Sequence, residues 1–208
     1  MPAWALGHSV HRSGSHGRGG PRIPAGFGEL SGDVIDLTVG SGHRIVEGRR
    51  GPGIAVNGSV PGPLIRLREG QKVRIAVTNT LAEQSSIHWH GVLVPFQMDG
   101  VPGISFPGIR PRQTFTYEFP IRQSGTYWYH SHSGLQEQSG HYGPLIIDPA
   151  ESEPVEYERD YILLLSDFTV LDPHFIMSRL RTGEGYFNRQ LSSWTDNYPM
   201  SGEERRMW

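Results

Sequence analysis

Four histidines of this sequence stand in two pairs, each split by a single residue: His88-Trp89-His90 and His130-Ser131-His132. On an extended backbone alternate side chains share a face, so the two imidazoles of a pair point the same way, with Cα atoms about 6.5–7 Å apart. Two such strands side by side make a patch of four imidazoles. Neutral imidazole suits Zn, Cu, Fe and Ni, and with neither carboxylate nor thiolate beside the pairs, copper and zinc lead.

Known zinc spacings fit poorly. A three-histidine catalytic zinc site also needs an open position for water. One pair and either remaining histidine would supply the ligands, but one histidine is left over. The metallo-hydrolase pattern that places an aspartate shortly after the second histidine fails, because Val92 stands there. The glutamate that a cupin places after its pair is missing too, with Val94 and Pro95 in that region. The chain has no cysteine. That excludes disulfides, thiolate zinc sites, iron–sulfur clusters and thiol nucleophiles, and it removes the thiolate of a blue-copper centre.

The elements that must hold these pairs read as strands. Thr126 and Trp128 fall on the face of His130 and His132, while Tyr127, Tyr129 and Ser131 take the other. Val34, Ile35, Leu37 and Val39 open an earlier strand, and Leu64, Ile65 and Leu67 form another that ends at Glu69-Gly70. Val73, Ile75 and Val77 alternate with Lys72, Arg74 and Thr78, and Phe115, Tyr117 and Phe119 alternate with Thr114, Thr116 and Glu118. That is the period of a half-buried strand. Gly143 to Asp148 closes the series. Short strands punctuated by Gly, Pro and Asn indicate an all-β sandwich or barrel, in keeping with 27 glycines and 16 prolines among 208 residues.

Residues 1–30 read as a flexible leader, rich in Gly, Ser, Arg and His and without periodicity. His8, His11 and His16 belong to it as solvated tail residues. Ala3-Trp4-Ala5 has the form of a signal-peptidase site, the expected remnant of a signal peptide and the sign of a periplasmic or otherwise exported protein. Residues 31–150 form the expected principal domain. Residues 151–208 read as an acidic linker and the incomplete start of a second domain, with a strand at Tyr161–Phe168 and helical signals at Pro173–Leu180 and Ser201–Trp208. A net charge of −2 argues against a nucleic-acid or anionic-membrane partner. No apolar run has the length of a membrane span.

The stretch from Val56 to Leu81, followed by the segments around His88, Met98-Asp99-Gly100, His130 and Gly143–Pro149, resembles the first cupredoxin domain of multicopper oxidases. Within that family it is most similar to bacterial copper-resistance oxidases of the CopA type. The resemblance covers about Leu30 to Phe168. It implies a Greek-key, cupredoxin-like β-sandwich, with the start of a second cupredoxin domain at the C-terminal end and half of a trinuclear copper centre in the first. It further implies that His88 ligates the type 2 copper and that His90, His130 and His132 ligate the type 3 pair. Asp99 matches the acidic residue that helps deliver protons during oxygen reduction. The implied chemistry is four-electron reduction of dioxygen to water, coupled to one-electron oxidation of phenols, aromatic amines or metal ions.

The family's downstream His-rich motifs and its cysteine do not occur in these residues. The expectation is therefore the N-terminal part of a multicopper oxidase, inactive alone, whose partners are further cupredoxin domains, dioxygen and an unnamed reducing substrate. A stand-alone copper-binding module and a mononuclear zinc enzyme are the alternatives. His141 and His174 are the only later histidines, and His141, where the family has no ligand, reads as incidental.

Overall fold

The computed structural model describes residues 5–9, 27–46, 48–151, 157–167, 169 and 171–182, with backbone alone for Ala5–Ser9 and Val46. In chain order the strands are β1 (Ala5–Ser9), β2 (Glu29–Ser31), β3 (Val34–Val46), β4 (Arg49–Val56), β5 (Leu64–Arg68), β6 (Lys72–Asn79) and β7 (His88–His90). They continue with β8 (Thr114–Pro120), β9 (Gly125–His130), β10 (Tyr142–Asp148) and β11 (Asp160–Leu164), followed by helix α1 (Pro173–Leu180).

The expected alternation of β6 and β8, which pair with each other, gives one sheet an apolar face that a second sheet covers. One sheet runs β2-β5-β10-β9-β7 and the other β4-β3-β6-β8, with β1 and β11 as a separate pair. Val73, Ile75 and Val77 of β6 are fully buried, as are Tyr117 and Phe119 of β8 to within 1%. Ile65, Trp89, Tyr129 and Leu145 meet them from the other sheet in one core cluster. Trp89 packs edge-on to Tyr117 across the sandwich, ring centroids 5.2 Å apart. An aromatic buried this fully contributes about 3–5 kcal/mol relative to alanine. The all-β, cupredoxin-like sandwich expected from the sequence is what forms.

Three elements differ from the sequence reading. The strand opened by Val34 runs on to Val46 and turns back as β4, a hairpin whose Gly40, Gly42, Gly51 and Gly53 hide any alternation. Gly40, Gly42 and Gly53 have a packing reason: a Cβ would crowd Thr80 at the first, lie 2.5 Å from the Ala55 Cβ at the second and crowd Arg44 at the third. Within the expected leader, Ala5–Ser9 pair antiparallel with β11, Ala5 opposite Leu164. The pairing is supplied by β11 rather than by any pattern in Ala5–Ser9. The strand expected at Tyr161–Phe168 spans Asp160–Leu164, and Leu165–Asp167 leave it. Helix α1 has the expected bounds. Asp172 caps it by accepting the His174 N–H at 2.7 Å, with Pro173 in the first turn. Ser201–Trp208 lie outside the described residues.

Candidate metal centre

The two histidine pairs meet through one short ladder. Strand β7 runs antiparallel to β9, pairing His88 with His130, Trp89 with Tyr129 and His90 with Trp128. Trp89 and Tyr129 are fully buried, and the Tyr129 hydroxyl donates to the Pro63 carbonyl at 2.8 Å. Turning these two inward sends His88, His90, Trp128 and His130 to the opposite face. There Trp128 stacks on His130 at 4.1 Å between centroids and on His90 at 5.0 Å.

Ring nitrogens converge on this face. One nitrogen from each of His88, His90 and His130 falls within 4.8 Å of the other two. His90 Nδ1 and His130 Nε2 are 3.1 Å apart. Two nitrogens bonded to one ion at about 2.0–2.1 Å each sit roughly 2.9–3.4 Å from one another for angles between square and tetrahedral. The pair therefore fits a shared ion without rebuilding. His132 follows the end of β9, and its N–H donates to Ser86 Oγ at 2.9 Å. Its ring lies 5.7 Å from His88 and 6.3 Å from His130, outside the tight group of three.

The Nδ1 atoms of His88 and His130 are held by neighbouring acceptors. His88 Nδ1 is 2.7 Å from the Asp99 carbonyl oxygen, which can only accept, so Nδ1 carries the proton and Nε2 a lone pair. The Asp99 carboxylate is farther, at 3.5 Å from the same nitrogen, and is 37% exposed. His130 Nδ1 likewise faces the Ser131 carbonyl at 2.9 Å and Glu137 Oε2 at 2.7 Å. Burial lowers the His130 pKa, and the rings of His88 and His90 push the same way, against the Ser131 carbonyl and Glu137. A neutral imidazole with a free Nε2 is the form that binds a metal. Among the described residues the convergent group is made of imidazoles, and it is compatible with a copper site.

A polar scaffold that the strand pattern did not reveal ties the two pairs together. Buried Gln136 accepts from Ser85 Oγ at 2.8 Å and Ser131 Oγ at 2.9 Å, and donates to Glu83 at 2.9 Å and the Gln84 carbonyl at 2.8 Å. Ser86 and Ser133 join their hydroxyls at 2.9 Å. The segment before β7 is thereby bolted to the turn after β9. These residues sit in turns, where neither period operates, so no local signal marks them. His141 is fully buried, with Nδ1 3.5 Å from Ser85 Oγ and Nε2 without a hydrogen-bond partner among the described residues. Burial drives its pKa down to about 3. It does not join the convergent group. The side chain of His8 and all of His11 and His16 lie outside the described residues.

The fold and site together define a cupredoxin-like sandwich with convergent imidazoles on one face. Residues 38–152 match the family model described as multicopper oxidase. The chain belongs to the multicopper oxidase family. It is 44% identical, over its full length, to the copper resistance protein A homolog of Pseudomonas syringae pv. tomato, covering 34% of that protein. It is 48% identical to copper resistance protein A of Escherichia coli over 76% of the chain and 26% of the relative. Among solved structures, the blue copper oxidase from Nitrosomonas europaea superimposes with a TM-score of 0.56 and 38% identity, over 58% of this chain and 40% of that one. The chain thus spans about a third or less of the length of these curated relatives.

Proposed function

We propose that this chain supplies half of the ligands of a trinuclear copper centre in a multicopper oxidase that reduces dioxygen to water and takes single electrons from a reducing substrate, in the service of copper tolerance. The observation that carries the reading is the 3.1 Å approach of His90 Nδ1 to His130 Nε2, with the second nitrogen of His130 already bonded elsewhere. In this reading His90 and His130 would hold one ion, His88 would hold a second through Nε2, and His132 would help hold a third. The greater length of the relatives supports further cupredoxin domains as the source of the other ligands and of a thiolate-bound centre. Their printed names support the link to copper resistance.

Copper, when bound, supplies the one-electron redox chemistry and the open positions for oxygen. The chain's own residues fix and shield it. The Asp99 carbonyl and the pair Ser131–Glu137 hold two rings in the metal-binding tautomer. Trp128 covers one side of His130 and keeps water from it. Asp99 is assigned a proton-handling role, supported by a carboxylate that is part exposed to solvent and 3.5 Å from the His88 ring.

Anaerobic titration of the full 208-residue chain with Cu(I) against a competing chelator tests the reading. Binding is expected, with affinity at least about tenfold weaker in His88→Ala and in His130→Ala. No blue colour and no phenol oxidation are expected of this chain alone. Copper uptake that is unchanged in both variants refutes the assignment. Zinc bound at one per chain in preference to copper, with hydrolase activity, replaces it.

A further inference from the structure

We propose that Glu137 is the positioning residue for His130: its carboxylate accepts the Nδ1 proton, fixes the tautomer and tilt of the ring, and so aims Nε2 at the metal position shared with His90. The inference rests on the copper reading of the histidine face.

The observations are geometric. Glu137 Oε2 lies 2.7 Å from His130 Nδ1, a charge-assisted distance, with the Glu137 side chain 35% exposed and the His130 side chain 8% exposed. The Ser131 carbonyl, at 2.9 Å, belongs to the next residue in the chain. That oxygen travels with the backbone of the ring it holds and restrains the ring's tilt only weakly. Glu137 comes from a separate turn, itself anchored through Gln136 to Ser85 and Ser131. It therefore references the ring to the body of the domain. With Trp128 stacked on the opposite aspect of the site at 4.1 Å and 19°, the imidazole is gripped by its edge and by its face. A carboxylate behind a metal-binding imidazole also raises the basicity of the ligating nitrogen, and loss of such a partner typically costs about 10–100-fold in metal affinity. At His88 the nearer acceptor is instead the Asp99 main-chain carbonyl at 2.7 Å, with the Asp99 carboxylate farther off at 3.5 Å.

Two readouts on the full chain test this, one of them free of metal. Two-bond ¹H–¹⁵N spectra of the metal-free protein report which nitrogen of His130 is protonated, and chelator competition reports Cu(I) affinity. The parent is expected to show His130 wholly as the Nδ1–H form. Glu137→Gln, whose amide oxygen can still accept, is expected to keep that tautomer and to lose a few-fold in affinity. Glu137→Ala is expected to show a mixture of tautomers and about tenfold weaker Cu(I) binding. Because Glu137 is partly exposed, both variants are expected to keep the parent's fold, which circular dichroism checks. If Glu137→Ala matches the parent in tautomer and in affinity, the Ser131 carbonyl suffices and the inference is overturned. If the parent binds no copper while the tautomer still scrambles in Glu137→Ala, the positioning role stands and the copper reading falls.

Discussion

Replacing Gly100 by alanine isolates the device that orients His88. Gly100 has φ of 79°, and a Cβ there would stand 1.7 Å from the Ile87 carbonyl oxygen and 3.1 Å from the His88 nitrogen. An ordinary contact of this kind is about 3.4 Å, so the turn carrying Asp99 must retreat by well over an ångström. The His88 Nδ1 to Asp99 carbonyl bond, 2.7 Å in the parent, then passes beyond hydrogen-bonding reach. Two costs add: about 1–2 kcal/mol for a non-glycine residue in the left-handed region, and about 1 kcal/mol for the lost bond. The expected total is roughly 2–3 kcal/mol, or about 4–12 °C in Tm for a chain of this size. Gly103→Ala is the matched control, since Gly103 has φ of 77° but, among the described residues, nothing within 4 Å of its added Cβ. It carries the backbone cost without the collision. Thermal unfolding and the His88 tautomer, read by ¹⁵N spectra, are measured on both. Gly100→Ala is expected to fall several degrees below Gly103→Ala and to lose the single Nδ1–H form of His88. Equal melting of the two variants, with His88 unchanged, refutes the reasoning.

Three further outcomes follow from buried polar groups. His141, held by burial at a pKa of about 3 against an ordinary 6.5, binds a proton more readily in the unfolded chain. Its contribution to stability is therefore full above pH 6.5 and is lost as pH falls from 6.5 towards 3, by about 2 kcal/mol at pH 5. Urea unfolding at pH 7.5 and 5.0 checks this, and His141→Gln is expected to show the smaller difference between the two. Asn79 is fully buried, donating to the Glu83 and Ile109 carbonyls at 2.8 Å and accepting the Leu81 N–H at 2.9 Å. Asn79→Ala is expected to cost about 2–4 kcal/mol in urea unfolding, because buried partners are left unpaired. Arg66 grips Asp148 at 2.8 and 2.9 Å across β5 and β10, both partners largely shielded. Asp148→Asn is expected to cost about 1–3 kcal/mol and to do so with little dependence on salt.

How much of this was legible depends on how local each cause is. The histidine pairs were legible because their two-residue period is written in adjacent positions, and Trp128 shared their face by the same rule. The strands built on Val73–Val77 and Phe115–Phe119 declared themselves likewise. The β3–β4 hairpin did not, because glycines that let Gly42 approach Ala55 erase the alternation. Nor did the strand at Ala5–Ser9, whose partner lies some 150 residues on in the sequence. Around the site, Glu137, Gln136 and the serines were invisible for a different reason. Their importance comes from where a turn ends after folding, and a turn has no period to read. His141 drew notice only as an extra histidine. Its complete burial is decided by packing that no neighbouring residue announces.

The register of β7 against β9 connects fold and site. Sliding either strand by one residue would turn Trp89 or Tyr129 to the outer face and carry imidazoles into the core. Trp89 alone is worth about 3–5 kcal/mol in its buried place, and an unpaired buried imidazole adds a further desolvation cost. The apolar side of these strands therefore dictates that His88 stand opposite His130, whether or not an ion is present. Hydrogen bonds donated by the rings to the Asp99 and Ser131 carbonyls and to Glu137 then settle which nitrogen His88 and His130 offer. Neither step asks the metal to organise its own ligands. Under the proposed copper reading, a face assembled this way loses little conformational freedom when an ion arrives, and that favours binding.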